Sequence, residues 1–320
     1  MVRFRLGIAF LLFALAMPGL AFAKNTLAEA YIDAGMDCLH RNESEKALRL
    51  FTLAIQEAAE CESADVLPIA LLGAGEAEFN LGNFDKARQL FRTCAQFQDT
   101  VNDDENPVIR VAAMCNLMLV QTHEEEFIEA EAVGQKAVAI LEAADLGDHE
   151  LMAKTLNNLS IAKTALEKFD EAKEIALRSQ KILKAISDEH PASYEIADTL
   201  AHIYHAAKDH DRAEEAAKTA VEHARQHHGE RTVQTAEALT TLGKIKRSQG
   251  HHAESEKALK LALEIFAETT HDDHPSHQAA KNLSNAKTEQ SASQDETAPS
   301  SSENAKEPQA SPSKTAVKPK

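Results

Sequence analysis

Histidine, cysteine and carboxylate residues are the ones with chemistry to offer, and their spacing decides what they can do. Twelve of the 15 histidines stand at or after His190. His202 and His205 are one helical turn apart, an i, i+3 pair that holds a transition metal when a third ligand such as Asp198 completes the site. No stretch has a defined ligand spacing, so no resident metal and no other cofactor is expected. His227-His228, His251-His252, His271, His274 and His277 read as loop residues. Cys38, Cys61, Cys94 and Cys115 include no Cys-x-x-Cys pair, the signal for zinc or thioredoxin chemistry. Cys94 falls late in one helix and Cys115 early in the antiparallel one that follows, so both stand at one height. Their two readings are a disulfide and burial as small apolar side chains. Nucleophile elbows, His-Glu-x-x-His and glycine-rich phosphate loops are absent, and pairs such as Glu125-Glu126 fall on polar helix faces. An enzyme is not expected. The chemistry left is that of a binding surface.

Whatever holds such a surface must be repetitive. Phe169-Asp170-Glu171-Ala172 recurs as Phe84-Asp85-Lys86-Ala87 and Phe127-Ile128-Glu129-Ala130, and more loosely at His210–Ala213 and His252–Ser255. Adding Ala47 gives a ladder of small residues: Ala47, Ala87, Ala130, Ala172, Ala213 and Ser255, spaced by 40, 43, 42, 41 and 42 residues. A period of that length means stacked supersecondary units. Apolar residues recur at helical spacing within each unit, for example Ala47, Leu50, Phe51 and Ala54. The chain has no Trp and only 11 Gly and 9 Pro, which favours helices over a turn-rich β fold. Helix pairs are expected at about 27–40 with 44–59, 66–81 with 84–97, 109–124 with 127–144, 150–166 with 169–186, 194–207 with 211–226, and 232–248 with 253–269. A polar loop is expected at Asp99–Pro107, and an unpaired helix at 276–288. Short connections make neighbouring helices antiparallel.

These units resemble tetratricopeptide repeats, which set small and bulky residues at fixed offsets across a helix pair. Gly35, Gly75 and Gly243 stand at the close crossing, with Phe51 and Phe91 beside it. The longer period resembles the kinesin-light-chain subclass, carried by Leu146-Gly147-Asp148-His149, Ser187-Asp188-Glu189-His190-Pro191, Asp272-Asp273-His274-Pro275, Leu156-Asn157-Asn158-Leu159 and Asn282-Leu283. The chain departs from the pattern at His210, His252 and Ser44, where an aromatic is usual, and Ser44 points to loose packing of the first unit. The resemblance implies an all-α, right-handed superhelix of six helix pairs at 28–61, 68–101, 111–144, 153–186, 194–227 and 236–269, closed by a cap at 276–288. It also implies a concave groove lined by the inner helices. Carried onto this chain, the groove presents Ile32, Met36, Leu39, Ile69, Leu72 and Phe79 at its apolar end. Asn116, Leu119, Asn157, Asn158 and Ile161 follow in the middle. Glu195, Asp198, His202, His205, Thr240, Thr241, Lys244 and Arg247 form the polar end. Asn116 and Asn158 are the amides that the resemblance sets against a bound peptide backbone.

The ends read differently. Arg3 and Arg5, the apolar run Leu6–Met17, Pro18-Gly19 and the small residues around Ala23 form an export signal, with cleavage expected between Ala23 and Lys24. That places the mature protein in a periplasm or outside the cell, with no stable membrane insertion. Residues 289–320 are rich in Ser, Pro, Ala, Glu and Lys, a composition that does not repay ordering entropy. A net charge of -17 argues against nucleic acid and points to partners with basic character. The leading reading is an exported interaction scaffold that binds a protein or peptide segment in its groove. A second copy of the chain is an alternative occupant. The other reading is a small-ligand or metal-handling protein that uses the His-rich C-terminal half.

Overall fold

The computed structural model describes residues 26–60, 65–100, 107–270 and 276–285. Among them are thirteen helices and no strand. They are α1 (Thr26–His40), α2 (Ser44–Glu60), α3 (Leu67–Asn80), α4 (Phe84–Thr100), α5 (Val108–His123), α6 (Phe127–Ala143), α7 (Glu150–Ala165), α8 (Phe169–Ile186), α9 (Ser193–Ala206), α10 (His210–His228), α11 (Val233–Ser248), α12 (His252–Thr269) and α13 (276–285). The expected solenoid of six helix pairs is present. Helix α4 continues to Thr100, so Asp99 is helical rather than the start of a loop. His227 and His228 close α10, His252 opens α12 and His277 lies within α13, so none of the four is a loop residue. The export signal, its cleavage site at Ala23 and Lys24, Cys61, His271, His274 and the tail after 285 lie outside the described residues.

Each pair turns the same way. Asn42, Gly82, Glu125, Glu167, Lys208 and Gly250 all take positive φ, each five residues ahead of a ladder residue. The next N–H reaches back to the carbonyl five residues earlier, as Glu43 to Cys38, Glu126 to Gln121 and His251 to Lys246, at 2.8–2.9 Å. This left-handed C-terminal motif uses two orphan helix carbonyls and reverses the chain in three residues. The ladder then lands in the crossing: Ala47, Ala87, Ala130, Ala172 and Ala213 are 0% exposed. Ser255 fits there because its hydroxyl donates to the Gly243 carbonyl at 2.7 Å. In the first unit the Phe51 ring fills the space between Gly35 of α1 and Gly73 of α3, where any Cβ would stand within 3 Å of it. That unit is tightly packed, against the expectation from Ser44: Phe51, Ala54 and Ala58 are buried.

The curvature follows from which helices touch. From α1 to α12 consecutive helices pack throughout, and each odd helix from α1 to α9 also touches the next odd one; the even helices from α2 to α12 touch no other even helix. The odd helices therefore form the inner wall and the even helices the outer. Helix α13 closes the last unit: Ala280 is buried beside Ile265 and Phe266, and His277 stacks on Phe266 at 5.6 Å. The Ser276 hydroxyl donates to Glu237 at 2.7 Å.

Candidate interaction surface of the inner wall

The inner wall splits into a closed half and a polar half. At the N-terminal end Ile32, Leu39 and Phe79 are buried, and Met36, Ile69 and Leu72 are half-buried against core side chains. Further along, Ile161 is buried and Leu119 is packed on the core. The expected open apolar patch is therefore not exposed, because the close approach of the inner helices turns these side chains into one another. Burial of a residue on the concave side follows from the same short contacts that curve the wall.

The polar groups sit differently. Asn116 donates to Glu76 across adjacent units at 2.9 Å, and Asn158 donates to the Cys115 carbonyl at 3.4 Å. Both amides are thus engaged within the chain. Asn157, 6% exposed, has a buried Oδ1 without a hydrogen-bond partner, as do Glu195 Oε1 and Asp198 Oδ1. Acceptors stranded in this way cost free energy until a donor reaches them. Asp198 Oδ2 lies 3.5 Å from His202 Nε2, which in turn lies 3.3 Å from the Thr241 hydroxyl. His205 faces Ser248 at 3.4 Å and the ring of His210 instead. Hence His202 and His205 do not converge on one ion, and no group of three metal-binding side chains is found among the described residues. Burial, then the charge of Lys244, pushes the His205 imidazole down to about 4, so it stays neutral. Arg247 is committed to the cap, where it donates to the Leu283 carbonyl.

Three carboxyls along this wall are held well above the ordinary carboxylate range. Burial raises Glu76, Glu195 and Glu237 to about 7. Lys154 pulls Glu76 and Glu195 back part of the way, and the Ser276 hydroxyl does so for Glu237. Glu150 and Asp198 push Glu195 further up, and Asp198 and Glu195 do the same for Glu237. Burial lowers Lys244 while Asp198 raises it. Lys154 and Glu237 carry no signal in the repeat pattern, whereas Glu76 is marked as a charged residue in a stretch of α3 made mostly of Ala, Gly and Leu.

Among the described residues no disulfide is formed. Cys94 Sγ lies 3.2 Å from the Pro68 carbonyl, and Cys115 Sγ 3.2 Å from the Thr155 hydroxyl; Cys38, Cys94 and Cys115 are free and buried. Equal height was not enough, because Cys94 turns back to α3 and Cys115 forward to α7.

A tetratricopeptide-repeat family model matches residues 109–185 and 193–268. A search of curated proteins finds no match. Among solved structures, BtubC (BKLC) from P. vanneervenii is similar at 17% identity, covering 76% of this chain and 92% of that one, with a TM-score of 0.54. A Podosopora anserina putative kinesin light chain with nearly identical repeats is similar at 18% identity, over 62% of this chain and 94% of that one, TM-score 0.52. A Rap protein complexed with Competence and Sporulation Factor is similar at 14% identity, over 83% of this chain and 76% of that one, TM-score 0.57. At these identities the likeness is one of fold.

Proposed function

The chain is a tetratricopeptide-repeat protein, and from that premise we propose that it is an exported interaction scaffold. Its inner wall holds a segment of a partner protein, and the C-terminal half supplies the recognition. The observation that carries this reading is the set of stranded acceptors on α7 and α9: Asn157 Oδ1, Glu195 Oε1 and Asp198 Oδ1. Around them the carboxyls of Glu150, Glu195, Asp198 and Glu237 face the ammonium groups of Lys154 and Lys244, and a segment of basic character adds positive charge where carboxyls are in excess. The net charge of -17 supports the same choice of partner by steering it. The Rap protein of similar fold, solved with Competence and Sporulation Factor, supports use of this architecture to hold a ligand. The residues read as an export signal, Arg3 to Ala23, support work outside the cytoplasm.

The test is affinity capture from the extracytoplasmic fraction of the native cell, with wild type beside Asp198→Asn and Glu195→Gln. Both variants should melt like wild type at pH 5 and recover at least tenfold less partner. Equal recovery would remove the inner wall as the site. Intact mass of the exported protein should place its N-terminus at Lys24; an N-terminus at Met1 would mean that the signal is retained.

A further inference from the structure

Where α7, α8 and α9 meet, a cavity of ≈ 20 Å³ opens between the N-terminal half of α7 and the first turn of α9. Its polar side is Glu150, Lys154, Asn157 and Glu195, and its apolar side includes Leu183 and Ile196. Two features set it apart from a packing defect. Asn157 is more than nine-tenths buried, yet its Oδ1 has no donor, and Glu195 Oε1 on the facing helix has none either. Both residues line the cavity. The site is also weighted toward carboxyls: Glu150 and Glu195 stand with Lys154, His190 Nε2 lies 3.7 Å from Glu150, and Asp198 is one turn beyond Glu195 on α9.

We propose that this cavity receives the ammonium group of a lysine side chain carried by the segment bound on the inner wall, an inference that rests on the reading of that wall as the binding surface. Size selects the group. A void of this volume takes one particle the size of a water molecule. An ammonium is that size, and a planar guanidinium with its five donors is not. Valence selects it as well. An ammonium has three donors and no acceptor, and the cavity offers the Asn157 oxygen, the Glu195 oxygen and the Glu150 carboxylate. A water could fill the space but would bring no further cation for the Glu195 carboxyl to ionise beside. Leu183 and Ile196 give the methylene stem an apolar track. The burial that holds Glu195 at about 7 is relieved when a cation enters, so the lysine and the ionised carboxylate stabilise each other.

Selection of a random decapeptide library on the immobilised full-length chain tests this. Wild type should enrich lysine at one position by at least tenfold over arginine. Asn157→Ala and Glu195→Gln, each confirmed folded by its thermal melt, should lose that preference while still retaining peptides. Peptides retained without a lysine position, or with lysine spread evenly and unchanged by both variants, would overturn the cavity assignment and leave the wall as a binding surface. No peptide retained above background would overturn the binding surface itself, and the cavity assignment with it. A second measurement needs no variant. On the wild-type chain, n-butylammonium should shift the Asn157 side-chain amide resonances saturably and n-butanol should not. Equal or absent shifts would mean that the cavity holds only water.

Discussion

Three of the six intra-pair reversals put a long charged side chain where the backbone is left-handed. Glu125, Glu167 and Lys208 hold φ between 59° and 62° and are exposed. A Cβ is disfavoured there by about 1 kcal/mol, whereas glycine carries no such penalty. Glu167→Gly and Lys208→Gly should each raise the urea midpoint, by up to about 1 kcal/mol, with an unchanged m-value. The ladder residue five positions on tolerates nothing of the kind. Ala172 is 0% exposed at the crossing, so Ala172→Arg should cost about 3 kcal/mol or more in the same experiment. The ladder was legible because a small residue repeats at a fixed period. Gly82 and Gly250 were legible as helix stops because glycine marks them. Glu125, Glu167 and Lys208 were not, since a charged residue says nothing about the sign of its own φ. Asn157 shows the same limit: its presence on the wall could be read from the repeat, but its missing donor is a fact of three dimensions.

The units are riveted to one another by charge at a recurring place. Lys163, 4% exposed, donates to Glu131 of the preceding unit at 2.7 Å and to Glu171 of its own at 2.6 Å. Lys246, at the same place two units on, pairs with Glu214 and Glu254, both at 2.7 Å. In the second unit the polarity is reversed, with Glu78 facing Lys86 at 3.5 Å. In the fifth, Arg212 lies over the Tyr204 ring at 4.8 Å. In four of the six units the position thus keeps an attraction while changing its chemistry, and the first and third carry Cys38 and Gln121 there, which is why the residue types alone do not disclose it. Lys163→Ala removes one of the two lysines on Glu131, whose oxygens Lys168 still reaches at 2.8 and 2.7 Å, and should cost about 2 kcal/mol. Glu171, whose side chain is 61% exposed, should cost under about 1 kcal/mol when changed to Ala. Matched chemical melts of the two variants check the contrast. The cap belongs to the same scale. Truncation after Thr269 removes the Ser276–Glu237 bond, the His277–Phe266 stack and Ala280, and should lower the melting temperature and expose α11 and α12 to hydrogen exchange. Truncation after residue 290 should leave both readouts unchanged.

Across the whole molecule the raised carboxyls set a pH response. Glu76, Glu195 and Glu237 bind protons more tightly folded, at about 7, than in the unfolded chain, where a glutamate titrates near ~4.3. Their contribution to stability is therefore full below the unfolded value and is lost as the pH rises through about 7. Glu131 and Glu214 work the other way. Their lysine partners lower them, Glu214 to about 2, so their contribution is present above the unfolded value and fades in acid. Thermal melts should peak near pH 5 and decline toward pH 8, and Glu195→Gln should flatten part of that decline. A melting temperature that rises steadily from pH 5 to pH 8 would contradict the burial of these groups. Binding of a cationic segment should run opposite to stability, strengthening as the same carboxyls ionise.

The inner helices touch their second neighbours and the outer ones do not, and this asymmetry makes the coil behave as a spring with a fixed hinge line. Pulled or bent open, the solenoid lengthens by fanning its outer row, where no second-neighbour contact has to break, while the inner row keeps its spacing. The surface offered to a partner would then hold its pitch as the body around it flexes.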